Sequence, residues 1–215
     1  MKIFPDFSFE EKYGNKGYTI IGIDEVGRGC LAGPVTVGAV CINTHIIDKQ
    51  KWLSYGINDS KQITPLQREQ LAVIVKKQCL YSTSFIAPQH INSHGIVHSV
   101  VAGISNVVLK CKKSFPDNKI ILLIDGLPIS HIPYINDIQR VSIVKGDGKS
   151  ISIAAASIIA KVERDEYMNE LSKQYPHYAW DENKGYGTVK HRNAIKQYGV
   201  TSHHRNLFVR NILKT

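Results

Sequence analysis

Tyr18–Asp24 reads YTIIGID and Lys119–Asp125 reads KIILLID. Each is a short apolar run closed by an aspartate, the pattern of a strand buried on both faces that surfaces at its C-terminal end. Working outward, Pro34–Ile42 (PVTVGAVCI) is rich in β-branched residues and reads as a second strand. Ser82–Ala87 and Ile138–Val144 are further strands. Thr64–Gln78 reads as a helix, with Thr64 as N-cap, Pro65 at the first helical position and Leu66, Leu71, Ile74 and Val75 as its stripe. From Val97 the apolar spacing turns helical through Val100, Val101, Ile104 and Val108. Ile151–Glu163 (ISIAAASIIAKVE) reads as a buried helix whose small residues allow close packing. The expectation is a mixed α/β sheet covered by helices. From about Tyr175, aromatic, His, Gly and basic residues replace apolar runs. This predicts a main body over residues 1–174 and a small helical C-terminal appendage over 175–215.

The chain has 215 residues, enough for one domain with an appendage. Lys and Arg number 27 against 18 Asp and Glu, a net charge of +9. A surplus of that size suits a polyanionic partner, although basic surfaces also serve solubility alone. Cys30, Cys41, Cys79 and Cys111 form no CxxC pair, which argues against zinc and for reduced, buried thiols. The longest unbroken apolar stretches, Leu71–Val75 and Ile120–Ile124, fall far short of the roughly 20 residues of a membrane span. The N-terminal MKIFPDFSFEEKYG carries acids where a secretory signal needs an apolar core. A cytoplasmic monomer without membrane association is expected.

Chemistry concentrates where the two apolar strands end. Asp24 is followed at once by Glu25, and IILLID ends at Asp125. Neighbouring strand ends are where α/β sheets collect ligands and catalytic groups. If these strands are adjacent and parallel, Asp24 and Asp125 meet across one interstrand gap and need a proton or cation between them. Hard oxygen donors without His or Cys point to magnesium or manganese. Any one such acid is more often the first solvated residue of a loop. Next come Gly27-Arg28-Gly29 and Gly33-Pro34, whose spacing does not match G-x-G-x-x-G. Glycines there let backbone amides approach a polyanion, and Arg28 adds a charged donor fork. The plain alternative is a tight turn with an incidental arginine.

GIDEVGRGCLAGPV (22–35) resembles the first signature of the ribonuclease HII family, prokaryotic type 2 ribonuclease H. The resemblance continues through Asn58-Asp59-Ser60-Lys61, Ile124-Asp125-Gly126 and Lys145-Gly146-Asp147. It runs on through SIAAASI (152–158), Ala160-Lys161-Val162 and Arg164-Asp165. Tyr175-Pro176, Trp180, NKGYGT (183–188), His191 and His204-Arg205 follow in the family's order. It spans about Gly22 to Phe208. Cys30 stands where the family usually has proline, and Val200, Ser202 and Leu207 replace its usual proline, proline and serine.

The resemblance implies a ribonuclease H-like fold. It implies an endoribonuclease that cuts the RNA strand of RNA–DNA hybrids and single ribonucleotides embedded in duplex DNA. The products would carry 3′-hydroxyl and 5′-phosphate ends, and the role would be ribonucleotide removal in DNA replication and repair. The implied cofactor is a divalent metal, Mg2+ or Mn2+, held by Asp24, Glu25, Asp125 and Asp147, the four catalytic acids. On sequence distance alone Asp137, Asp147 and Asp165 compete for the fourth place. Asp147 follows Lys-Gly ahead of SIAAAS, and Asp165 is read as a structural ion-pair member. The resemblance gives recognition of the ribose 2′-hydroxyl to Gly27, Arg28, Gly29 and Tyr186. Lys61, Lys149, Lys184 and Arg205 are candidate phosphate contacts, with Lys61 and Lys184 preferred. His191, His203 and His204 are read as structural or backbone contacts. One tension is set by the pleat: adjacent strand residues point to opposite faces, so Asp24 and Glu25 share a site only if the strand bends or ends between them. A transposase or junction resolvase on the same fold would also cluster acids, but without the Gly-Arg-Gly loop and NKGYGT. A non-catalytic nucleic-acid-binding module would have no reason to keep four acids in a basic chain.

Overall fold

In the computed structural model, which describes residues 4–213, the apolar runs assemble one five-stranded sheet. Met1–Ile3 of the acid-bearing N-terminal stretch, and the last two residues, lie outside the described part. The strands are β1 (Thr19–Val26), β2 (Val35–Ile42), β3 (Leu80–Ile86), β4 (Ile120–Asp125) and β5 (Gln139–Ile143), in the order β3-β2-β1-β4-β5. β1, β2 and β3 form an antiparallel meander, and β4 and β5 join β1's other edge in parallel. The helices are α1 (Ser8–Gly14), α2 (Lys49–Ser54), α3 (Pro65–Gln78), α4 (Pro88–Lys112), α5 (Ile151–Gln174), α6 (Trp180–Asn183), α7 (Val189–Tyr198) and α8 (Asn206–Val209). The expected helix-covered mixed sheet is present.

Strand alternation sorts the core into two layers. Ile21, Ile23, Val35 and Val37 meet Val100, Ile104, Val107 and Val108 of α4 on one face. Val40 and Ile42 face Ala154, Ala155 and Ile158 of α5 on the other. α5 lies unusually close to the sheet. A β-carbon on Gly22 would stand 2.2 Å from the backbone carbon of Ser152, and one on Gly38 would stand 2.6 Å from the carbonyl of Ala156. The small residues of SIAAAS are therefore matched by glycines on β1 and β2. Gly22→Ala should destabilise the protein by about 3 kcal/mol or more, because the obstacle is helix backbone and cannot rotate away. A denaturant titration showing less than about 1 kcal/mol would refute this close approach.

Local signals explain the helix starts. Thr64 accepts from the Gln67 N–H while the Gln67 side chain accepts from the Thr64 N–H, a complete capping box ahead of Pro65. At the start of α5, Ser150 is the N-cap, and the buried carboxylate of Glu10 accepts from the Ser152 N–H at 2.9 Å. The helix dipole favours that charge.

Several boundaries differ from those the sequence suggests. α5 continues past Glu163 to Gln174, because beyond that point Arg164, Met168, Leu171 and Ser172 alone stay buried and the apolar signal thins. α4 starts at Pro88, ahead of Val97; Gly95 in a left-handed conformation (φ 78°) breaks it, so the period restarts there. Among the described helices α4 has the length and composition to cross a membrane, but its apolar side is the core face against the sheet. Beyond Tyr175, Tyr178, Trp180, Ile195 and Val209 pack on Leu31, Ala32, Met168 and Leu171. The C-terminal segment thus shares its apolar cluster with the end of α5 and the loop after β1. Cys30, Cys41 and Cys111 are buried and Cys79 is half-buried, all as free thiols.

Candidate active site

The parallel register pairs Ile23 with Ile124, so the next residues, Asp24 and Asp125, stand at neighbouring strand ends. Adjacent strands are about 4.8 Å apart. By alternation both side chains belong to the α5 face. β1 does not end at Asp24. Its ladder with β2 continues through Glu25 and Val26, and Glu25 lies in the strand with the opposite parity. Glu25 nevertheless lines the same cleft, because it sits where β4 has stopped alongside it and can reach around the sheet end. That resolves the pleat's objection without a bend in the strand.

The cleft has a volume of about 590 Å3. Asp24, Glu25 and Asp125 line one part of it. Gly27, Arg28, Gly29 and Tyr186 line another, and Ser60, Lys61, Ser157 and Lys161 complete the wall. Asp147 sits in the short 3-10 turn Gly146–Gly148 after β5, and its Oδ2 is 3.5 Å from Lys61 Nζ. That turn is tied to the strand end by the Gly146 N–H, which donates to Asp125 Oδ1 at 2.6 Å. The other two contenders for the fourth acid make different contacts. Asp165 pairs with Lys161 at 2.6 Å and with Arg68 at 3.8 Å, the structural role expected of it. Asp137 lines a separate pocket with Tyr18 and Lys119, at the other ends of β1 and β4.

The acids press on one another. Burial first, then the charge of Glu25, holds the Asp24 carboxyl well above its ordinary range, and Asp125 and Asp147 add to the rise. A hydrogen bond from Ser157 opposes it. Burial also raises Glu25, against the Arg28 guanidinium, and raises Asp147 together with the charges of Asp59 and Asp125. Burial pulls Lys61 down, but Asp59, Asp24 and Asp147 outweigh it and the ammonium is held charged. Among the described residues no three His, Cys, Asp or Glu side chains are gathered as a ready metal cage. Glu25 leans on Arg28 at 3.3 Å and Asp147 on Lys61. The donor set still fits a hard divalent cation: oxygen atoms alone, with Asp24 and Asp147 buried and Glu25 and Asp125 half-buried, whose charges raise one another's cost.

Not every residue singled out in the sequence joins the cleft. Lys184 does not line it; its ammonium turns to Asn169 Oδ1 and the Asp181 carbonyl. Lys149 bonds the Val144 carbonyl at 2.7 Å. Arg205, expected to touch phosphate, is instead fully buried. Ser60, Ser157 and Lys161 line the cleft although nothing in their local sequence marks them as site residues. Ser157 and Lys161 are four apart on α5 and share a face, a signal visible only once α5 is known to lie along the acids. His191 and His204 are buried and structural, as expected. His204 Nδ1 accepts from the Thr201 N–H, so its Nε2 donates to His191 Nε2, and His191 Nδ1 donates to the Tyr186 carbonyl at 2.9 Å. Burial keeps both rings neutral, His204 pushed down to about 4. The pair anchors the backbone of Tyr186.

Comparison with known proteins shows what this chain is similar to. The sequence profile described as Ribonuclease HII matches residues 21–215. A ribonuclease HII of Phocaeicola vulgatus is 43% identical over 204 residues, covering 94% of each chain. One of Ruegeria sp. is 42% identical over 206 residues, covering 95% of this chain and 84% of the relative. Among solved structures, the ribonuclease HII chain in a PCNA complex from Archaeoglobus fulgidus superposes with a TM-score of 0.73 at 25% identity. That match covers 87% of this chain and 93% of the other.

Proposed function

Because the chain belongs to the ribonuclease HII family, it is an endoribonuclease, and we propose that it cuts both RNA–DNA hybrids and single ribonucleotides embedded in duplex DNA. The observation that carries this reading is a cleft lined by Asp24, Glu25 and Asp125 together with Gly27–Gly29 and Tyr186. Acids alone would suit any phosphodiesterase; the adjoining glycine loop and tyrosine supply a place to read a sugar.

Hydrolysis adds water's oxygen to phosphorus and breaks the bond to the 3′-oxygen, which takes up a proton. The ends are then 3′-hydroxyl and 5′-phosphate. Asp24, Glu25, Asp125 and Asp147 would hold Mg2+ or Mn2+, which supplies Lewis acidity and lowers the pKa of water. The chain's own contribution is placement. The Glu25 N–H orients Asp24, the Gly146 N–H orients Asp125, and Lys61 joins Asp147 to the cleft wall. Arg28 and Lys61, both exposed, face the incoming phosphates, and residues 175–215 act as the substrate-binding appendage through Tyr186. Such an activity serves the removal of ribonucleotides from DNA.

The test is cleavage of a DNA duplex bearing one ribonucleotide, with and without magnesium or manganese. One nick at the ribonucleotide is expected, dependent on the ion, with the all-deoxy duplex intact. Equal cutting of the all-deoxy duplex would overturn the reading. Binding should weaken with salt, and Lys61→Ala should flatten the log–log slope by about one unit. Lys184→Ala should leave it unchanged, since that ammonium is held on Asn169 and Asp181.

A further inference from the structure

Arg164 and Arg205 are both fully buried, and the ion pairs among the described residues include neither. Two guanidinium groups buried without a carboxylate are expensive, and each lies in the other's field. Their acceptors are backbone carbonyls. Arg205 donates from Nη1 to Arg28 O at 2.9 Å and from Nε and Nη2 to Gly33 O at 3.0 and 2.9 Å. Arg164 donates from Nε to Pro34 O at 3.0 Å, from Nη2 to Ala32 O at 3.3 Å and from Nη1 to Lys184 O at 2.8 Å. These carbonyls belong to the loop after β1 or to the residue before Gly185-Tyr186. The two loops also meet directly, where Gly185 O accepts from the Leu31 N–H at 2.8 Å.

A trans peptide is planar, and its C=O and N–H point in opposite directions. With the Arg28 carbonyl turned inward onto Arg205, the Gly29 N–H is turned outward. Gly29 is exposed and lines the cleft, a β-carbon there would meet nothing, and its N–H has no acceptor among the described residues. On the other side of the loop Gly27 has φ +84°, and a β-carbon would stand 2.2 Å from Arg164 Nε. The loop is thus pressed onto the guanidinium groups.

We propose that Arg205 is the positioning residue of the substrate-reading loop: it fixes the 28–29 peptide so that the Gly29 N–H faces the cleft, while Arg164 locks the turn carrying Tyr186 to the same loop. This rests on the reading that Gly27–Gly29 touches the substrate. A planar fork explains why arginine occupies these places. An apolar side chain of similar volume would serve stability as well or better, but it could not set the direction of a carbonyl. Lysine keeps the charge and loses the fork.

The test compares wild type, Arg205→Lys, Arg205→Met and Gly29→Ala, each well below its melting temperature. The readouts are kcat/KM on a duplex with one ribonucleotide in magnesium and affinity for the matching all-deoxy duplex. Arg205→Lys and Arg205→Met should lose about tenfold or more in kcat/KM. Arg205→Lys should keep its all-deoxy affinity, since phosphate attraction follows charge. Gly29→Ala should lose cleavage at unchanged melting temperature. Wild-type kcat/KM in both Arg205 variants, or equal losses in cleavage and all-deoxy affinity for Arg205→Lys, would overturn the proposal alone. Wild-type cleavage by Gly29→Ala would overturn the loop reading and the proposal with it. If neither Arg205 variant folds, Arg164→Lys is read by the same criteria.

Discussion

Asp24→Asn is expected to reduce cleavage by roughly three orders of magnitude or more and, without divalent ions, to raise the melting temperature. The two effects have one origin. Asp24 is 5% exposed, and Glu25, Asp125 and Asp147 all raise the cost of its negative charge. An acid whose pKa is raised by folding penalises the fold when ionised. The penalty is absent below the unfolded value of about 3.9, grows as the pH climbs through it, and is complete above the folded value. The metal-free wild type should therefore lose stability as the pH rises through the acid range, and Asn at position 24 should lose less. For a chain of this size the gain at neutral pH is a few degrees, at about 2–4 °C per kcal/mol. Magnesium or manganese should then stabilise the wild type more than the variant, because the cation relieves a repulsion that Asn has already removed. Thermal melts at several pH values, with and without the ion, check this. A variant that melts lower than wild type without metal would show that Asp24 is held by favourable bonds rather than against repulsion. Near-normal turnover would remove the acid from the chemistry.

The same residue shows how much of the site the sequence discloses. Asp24 and Asp125 each end an apolar run too apolar for an edge strand, and the structure places β1 beside β4. The acids are legible in the sequence; their meeting rests on that pairing, which the sequence leaves as a condition. Glu25 is less accessible to such reasoning, because pleat parity alone puts it on the wrong face; the early end of β4 brings it round. Arg205 is further out of reach. A basic residue in a basic segment reads as surface charge, and nothing in its spacing tells that the carbonyls of Arg28 and Gly33 surround it. The second half of α5 fails for a related reason: a helix that buries Arg164 and otherwise bathes its charges in water loses its apolar period. What the sequence conceals is mostly polar burial, where charge and location disagree.

Tyr186→Ala is expected to lower cleavage at a single embedded ribonucleotide far more than cleavage of a continuous hybrid. A 2′-hydroxyl is one donor and acceptor on a long polyanion, so phosphate attraction cannot report on it. It has to be read by groups held at one place. Tyr186 is 39% exposed at the cleft, with its ring centroid 5.8 Å from Arg164 Cζ and its carbonyl bonded to His191. The flanking Gly185 (φ +83°) is fixed against Ala32, where a β-carbon would stand 2.3 Å from the carbonyl. The ring is therefore presented from a rigid turn, as stacking on a sugar or base requires. Such stacking is worth about 1–3 kcal/mol, or about 5- to 150-fold. One ribonucleotide in DNA offers one register, and the whole loss falls on it. A continuous hybrid offers a ribose at every step, so registers that depend less on the ring sustain cleavage. Tyr186→Phe keeps the ring and should retain most of the preference, which separates stacking from the hydroxyl. The measurement is the ratio of the two cleavage rates in wild type, Tyr186→Phe and Tyr186→Ala at fixed salt and metal, with melting temperatures alongside. Removing the ring also uncovers Arg164, so some fall in stability is expected; it lowers both rates together and cancels in the ratio. An unchanged ratio in Tyr186→Ala would make Tyr186 a packing residue over Arg164 and leave discrimination to the Gly27–Gly29 backbone.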